Sequence, residues 1–328
     1  MKSHPSNPEA NDLSRQGSRE IDNEVISYPF GDIENYELCY RIGRGKYSTV
    51  FSGLTNTGQQ CVLKVLKPVR ASKINREIRI LEKLKESPNI CNLLDVVKDQ
   101  ESQMVTLVLD WTNDDFRNIY QTLEMNDIAY YMYKVLQALD FAHSRGIMHR
   151  DIKPQNIMID HSTKKVSLID WGLADFYIPG TSYQVRVATR NYKAPELLFG
   201  YAQYTPTVDI WGLGCTLAAM LTKKSPLFRG RDNAELILRI ADFVGSEEIE
   251  NYLQKYKITI SSHDIASRIS GHKRRAHEFL KKDDTKNFIT PMAEDLLMKM
   301  LTVDHQERIS AKDAMSHPFF DCVRDMFK

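Results

Sequence analysis

The 328-residue sequence has few means of covalent cross-linking. Its five cysteines (Cys39, Cys61, Cys91, Cys215, Cys322) are scattered, odd in number and never spaced C-x-x-C. They suggest neither a disulfide framework nor a zinc site, and they fit a reducing compartment. No long hydrophobic run is present. The longest, "IWGLGCTLAAML" at residues 210–221, is too short to cross a bilayer. The first twenty residues carry Ser, Asn, Pro and charge without an apolar core, so no secretory leader is expected. Neither charge is in surplus: 44 Lys and Arg stand against 43 Asp and Glu. That balance argues against a wholesale nucleic-acid binder. No internal repeat is visible, and neither a membrane nor a nucleic acid is expected as a partner.

What is there divides in two, as this length allows. Residues 1–22 read as a flexible tail. Across residues 36–66, "YELCYRIGRG", "YSTVFSGL" and "QQCVLKVLK" predict three antiparallel strands. In "KINREIRILEKLK" the period switches, and Ile74, Ile78, Leu81 and Leu84 share one helical face. "MVTLVLD" at 104–110 is a further strand. Beyond Asp110 helices dominate. Residues 126–145 turn Ile128, Met132, Val135, Leu139 and Ala142 inward, with Gly146 as C-cap. "NIMID" and "VSLID" are short β runs, and residues 207–223 are apolar all round and therefore buried. Asp232 caps a helix running to Val244, Thr290-Pro291 opens another, and "SAKD" at Ser310 is a capping box. The boundary near residues 110–113 makes a cleft there the default site.

Four features carry chemistry. "IGRGKYSTV" (Ile42, Gly43, Arg44, Gly45, Lys46, Tyr47, Ser48, Thr49, Val50) joins two strands through a Gly-rich turn. Its backbone can approach a phosphate closely, although taken alone it reads first as a plain hairpin. Lys64 sits in a strand otherwise apolar on both faces. Either it snorkels to an edge or it needs a buried partner, and Glu77, on the apolar stripe of the next helix, is placed to be one. "MHRDIKPQNIMID" gathers His149, Arg150, Asp151, Lys153 and Asn156 in one loop, and "LIDWGLADF" then ends a strand on Asp170. Finally, "VRVATRNYK" holds Arg186, Arg190 and Lys193 and no acid. It is either a solvated basic loop or a dock for something acidic.

H-R-D-x-K-x-x-N, then D-[FW]-G, then A-P-E, is the protein-kinase signature set. From about residue 30 to 320 the chain resembles a eukaryotic protein kinase. "GRGKYS", "IMHRDIKPQNIMID", "LIDWGLA", "VRVATRNYKAPELL" and "DNAELILRIADFVG", with Trp171 where most kinases have Phe, are most similar to casein kinase II catalytic subunits. The resemblance implies an α+β, two-lobed fold. A small antiparallel-sheet lobe with one main helix spans 36–111, and a larger, mostly helical lobe spans 112–320. Residues 23–35 pack on the core, and 321–328 form a C-terminal tail. It also implies transfer of the γ-phosphoryl of ATP, or of GTP, to Ser or Thr followed by Asp, Glu or phosphoserine.

The roles it implies are these. Asp151 accepts or orients the acceptor proton, and Lys153 steadies the moving phosphate. Asn156 and Asp170 ligate Mg²⁺. Lys64, oriented by Glu77, holds the α and β phosphates. Val50, Val62 and Met158 sandwich the base, Leu109 backs the pocket, and the backbones of Asp110 and Thr112 meet the base edge. His149 with Asp209 braces the catalytic loop, and Glu196 with Arg308 anchors the activation segment. Arg186, Arg190 and Lys193 select acidic protein substrates. A dimer of regulatory β-subunits on the small lobe gives a heterotetramer, in cytoplasm and nucleus. "HKRRAH" at 272–277 is read as a nuclear-entry signal or a solvated surface.

The chain departs from that family in three places, one being the tail before Val25, which has no clear counterpart there. A lysine run entering the first-lobe helix is thinned to "RASK" at 70–73, and the linker "LDWTNDD" differs from the usual residues. Thr181, Ser182, Tyr183 and Thr189 are candidate phosphorylation sites. The resemblance instead implies an activation segment held active by residues 25–36, with Trp171 helping through its indole N–H. Two other readings stay open: a proline-directed kinase of the cyclin-dependent or MAP group, and a nucleotide-binding pseudokinase scaffold.

Overall fold

Residues 36–66 and 93–110, rich in β-branched and aromatic residues, build one antiparallel sheet. Its strands are β1 (Tyr36–Arg44), β2 (Ser48–Thr55), β3 (Gln60–Leu66), β4 (Leu93–Lys98) and β5 (Val105–Asp110), in the order β1-β2-β3-β5-β4. The computed structural model describes residues 28–113, 120–260, 263–281, 289–324 and 326. It divides into two units. One holds the described residues up to Lys85 with Cys91–Trp111; the other holds Glu86–Ile90 and the described residues from Thr112 onward. The expected tail at 1–22 lies outside the described residues, as do residues 23–27 and part of 321–328.

In the sheet unit, Cys61, Leu63, Val97 and Val108 form a buried cluster with Tyr36 and Phe51 packed against it. The alternate positions of β3 place Val62 and Lys64 on the opposite face. Val50 and Leu107 stand across from Lys64, and Leu109 across from Val62. Helix α1 (Ala71–Lys83) buries Ile74, Ile78 and Leu81, and Leu84 just beyond its end is buried too. Strand β4 was not expected: its apolar run is interrupted by Asp95, and its pairing comes from β5, some ten residues on. Residues 28–36, expected against the activation segment, make bonds to α1 and β4. Tyr28 donates to Glu82 at 3.0 Å, Gly31 N to Val96 O at 2.9 Å and Tyr36 to Asp95 at 2.8 Å. A Cβ at Gly31 would overlap the Asp95 carboxylate, which would have to move aside.

The second unit is mostly helical: α2 (Met125–Ser144), α3 (Pro195–Leu198), α4 (Thr207–Thr222), α5 (Asn233–Val244), α6 (Ser246–Lys255), α7 (His263–Ile269), α8 (Ala276–Lys281), α9 (Pro291–Met300), α10 (Ala311–Met315) and α11 (Asp321–Arg324). The inward stripe of α2 is buried as expected, and Gly146, at φ +67°, closes it. Helix α4 is buried nearly throughout and packs on α2 and α9. Asp232, Thr290 and Ser310 each accept a hydrogen bond from the N–H three residues on, which places the starts of α5, α9 and α10. Among the described residues no helix is long and apolar enough to cross a membrane. The two units have the small-sheet and helical make-up of the expected α+β class. Within the second, two short antiparallel pairs hold the chemistry: β6 (Ile147–Met148) with β9 (Asp175–Phe176), and β7 (Ile157–Asp160) with β8 (Lys165–Leu168).

Candidate active site

The Gly-rich turn follows directly from strand register. Gly43 pairs with Val50 and Arg44 with Thr49, which leaves Gly45, Lys46 and Tyr47 as the reversal. Gly45 N donates to Ser48 O at 2.9 Å, and Lys67 Nζ donates to Gly45 O at 2.6 Å. Lys46 and Lys73 lie over the Tyr47 ring. A Cβ at Gly43 or Gly45 would meet only ordinary contacts, at 3.6 and 3.7 Å. Neither glycine has a positive φ. The fold itself does not demand these glycines, which leaves room over the turn for an approaching group.

Beside that turn, Lys64 Nζ donates to Glu77 Oε1 at 2.6 Å, with both side chains 9 % exposed. This is the buried partner that the apolar strand called for. On the same sheet face, Val50 and Val62 are half-buried and Leu109 is buried. The Asp110 carboxylate accepts from Asn92 N at 2.9 Å and from its Nδ2 at 3.2 Å. In the second unit, the Thr112 hydroxyl is buried with no hydrogen-bond partner among the described residues.

The loop 149–156 is held from several sides. Asp209, at the first turn of α4, accepts from His149 N at 2.8 Å, Arg150 N at 2.7 Å and His143 Nε2 at 2.9 Å. Burial pushes this carboxyl up, but the hydrogen bond and charge of His143 and the charge and N–H of His149 outweigh it, leaving it below its ordinary value. The expected His149–Asp209 pair therefore exists through the main chain. The His149 ring goes elsewhere: Asp151 N donates to Nδ1 at 3.2 Å, so Nε2 carries the proton and donates to Ile169 O at 2.9 Å.

Those bonds place the Asp151 carboxylate. Oδ1 accepts from Thr189 N at 2.7 Å and Thr189 Oγ1 at 2.8 Å. Oδ2 accepts from Lys153 Nζ at 2.7 Å and Asn156 Nδ2 at 3.3 Å. Lys153 also donates to Thr189 Oγ1 at 2.8 Å, and Asn156 Nδ2 to Asp151 O at 2.8 Å. Asn156 and Asp170 flank the same end of the β7–β8 pair: Ile157 faces Leu168, and Ile169 N donates to Asn156 O at 2.9 Å. Asp170 has a left-handed backbone, at φ +61°, and is exposed. Met158, half-buried, faces Ser167 in the same pair. Trp171 donates its indole N–H to Leu168 O at 3.2 Å, inside this loop.

Downstream, Arg186 and Arg190 are exposed and Lys193 is half-buried. Among the described residues no carboxylate pairs with any of the three. Arg190 donates instead to Arg231 O at 2.6 Å. Burial, then the charge of Arg190, lowers the Lys193 pKa. Glu196 and Arg308 form the expected pair, fully buried, with two bonds of 2.7 and 2.8 Å. "HKRRAH" is largely occupied: Arg275 meets Glu278 and Asp242, and His277 meets Glu294.

Sequence reasoning missed four contributors. Thr189 stood only as a phosphorylation candidate, His143 only as a helix residue, and Asp175 and Tyr204 not at all. Each lies far along the chain from its partner (Thr189 and Asp151, 38 positions; His143 and Asp209, 66; Tyr204 and Arg150, 54; Asp175 and Arg150, 25). No local pattern marks such pairs. Among the described residues there is no group of three His, Cys, Asp or Glu able to hold a metal alone. Among models of known families, the one described as protein kinase domain matches residues 36–320.

Proposed function

The chain belongs to the protein kinase domain family, and from that premise we propose that it is a serine/threonine kinase that needs no activating phosphate and selects acceptors followed by acids. The family is one of phosphotransferases that generally use ATP and Mg²⁺. The residues present fit such a donor. The turn at Gly43 and Gly45 bears no side chain there, the Thr112 hydroxyl is buried and unpartnered among the described residues, and Asn156 and Asp170 supply hard oxygens without a closed carboxylate cage. Mg²⁺ suits such an incomplete set, since it keeps several waters and leans on substrate phosphates. When bound, it would neutralise charge on the transferring group.

The protein's own residues would act as follows. Asp151 accepts a hydrogen bond from the acceptor hydroxyl and aligns its oxygen, with Thr189 and Lys153 fixing the carboxylate. Lys153 is the nearest cation to that carboxylate and is placed to follow charge developing on the moving phosphoryl. Lys64, aimed by Glu77, serves the donor's phosphates. Thr189 is a poor place for an activating phosphate, because its hydroxyl already touches Asp151 and added charge there would repel the carboxylate.

The observation that carries the acidic preference is the trio Arg186, Arg190 and Lys193, without carboxylate partners among the described residues. An incoming Asp, Glu or phosphoserine would offset the burial and, after it, the Arg190 charge that disfavour the Lys193 cation. Exposed pairs are each worth about 0.2–1 kcal/mol. Replacing all three by Ala should therefore cut preference for an acid after the acceptor by roughly 10- to 100-fold, less at high salt. Peptides with Asp or Pro after the acceptor, with ATP or GTP as donor, provide the measurement. Equal use of Asp and Pro by wild type, or unchanged selectivity in the variant, would defeat the proposal.

A further inference from the structure

Arg150 immediately precedes Asp151, and its side chain is buried, with 4 % of the residue exposed. Its backbone lies in the left-handed region, at φ +66°, where an arginine stays only if its surroundings hold it. All three guanidinium nitrogens are used: Nε donates to Leu173 O at 2.8 Å, Nη1 to Tyr204 Oη at 3.2 Å, and Nη2 to Asp175 Oδ2 at 3.0 Å. Tyr204 in turn donates to Gln184 O at 2.8 Å. The β6–β9 pair sets Asp175 opposite Met148, two residues before Arg150. A buried guanidinium left without an anion is strongly unfavourable. Many kinases meet that need with a phosphorylated residue, and their activation loop orders only when the phosphate arrives.

We propose that Asp175 is the built-in counter-ion of Arg150, and thereby a positioning residue for Asp151, occupying the place that an activating phosphate takes in switchable kinases. The proposal rests on the kinase reading above and deepens it by naming what replaces the phosphate. Its logic is local. The carboxylate five residues past Asp170 neutralises Arg150, Arg150 ties residues 173, 175 and 204 to the loop, and the loop keeps Asp151 facing the acceptor.

The test uses the full chain, phosphatase-treated and verified as unphosphorylated by mass spectrometry, with an acid-flanked serine peptide. Wild type should turn over in that state. Asp175→Asn should lose kcat by roughly 10- to 100-fold, with the KM for ATP and the stoichiometry of nucleotide binding unchanged. Asp175→Glu should recover most of the rate. If Asp175→Asn folds poorly, adding Arg150→Met decides the matter: with the uncompensated cation removed, the double variant should fold better and work faster than Asp175→Asn alone. Wild-type kcat in Asp175→Asn, no recovery with Glu, or a double variant no better than the single overturns the proposal. So does a wild type that is idle until an upstream kinase phosphorylates it; that result also ends the claim that no activating phosphate is needed, while phosphotransfer itself survives. A wild type that transfers phosphate to no acceptor in either state removes the kinase reading itself.

Discussion

In the sheet unit the buried ammonium of Lys64 meets Glu77 at 2.6 Å across one strand and one helix. In the helical unit the buried carboxylate of Asp209 gathers two main-chain N–H groups and the His143 ring, and so fixes the loop that carries Asp151. The first arrangement joins two side chains that can part if strand and helix shift. The second threads through α2, α4 and the loop 149–156, so that no single bond decides the geometry. Charge placement in the helical unit is over-determined, and in the sheet unit it depends on the seating of α1.

Breaking the network should have the larger effect. Asp209→Ala leaves three donors without an acceptor in a dry interior, and we expect about 3–5 kcal/mol of lost stability, read by denaturant unfolding. The same carboxylate sets an acid limit. Its folded-state pKa lies below the ordinary value, so its contribution is fully present above the usual Asp range and is lost as pH falls through the lowered value.

The ion pair should behave differently. Glu77→Leu alone should cost about 3 kcal/mol by removing the buried carboxylate that Lys64 meets. Lys64→Met with Glu77→Leu should regain most of that stability, because an apolar pair of similar volume can replace a buried ion pair, while phosphotransfer stays lost. A double variant that is active would show that Lys64 serves only the fold.

The smallest expected effect sharpens the contrast within the helical unit. His305 is buried among Tyr201, Tyr252 and Tyr256, and burial lowers its pKa. It must therefore take up a proton on unfolding, and stability should fall as pH drops below about 6.5. Melting midpoints between pH 5 and pH 8, about the range over which histidine titrates, should slope less in His305→Phe.

Where the sequence was readable, one short stretch contained the whole cause. The stripe Ile74, Ile78, Leu81, the caps Asp232, Thr290 and Ser310, and the grouping of Asp151, Lys153 and Asn156 all depend on neighbours within a few residues. Lys64 with Glu77 was also legible, because an ammonium in an apolar strand poses a question that the next helix answers. Strand β4 and the route from Arg150 to Asp175 and Tyr204 were not, since their partners come from strand pairing and distant loops. The expectation for His149 and Asp209 named the right residues and the wrong atoms, because residue type does not reveal whether a ring or a main-chain N–H makes the bond.

The central claim is that Asp151, held by Thr189, Lys153 and Asn156, aligns an acceptor hydroxyl for phosphoryl transfer. Its most direct test is transfer of labelled phosphate from MgATP to an acid-flanked serine peptide by unphosphorylated wild type and by Asp151→Asn. The account predicts steady turnover by wild type and a loss of about 10²–10⁴-fold in the variant. Equal rates in the two proteins, or none in wild type, would contradict it.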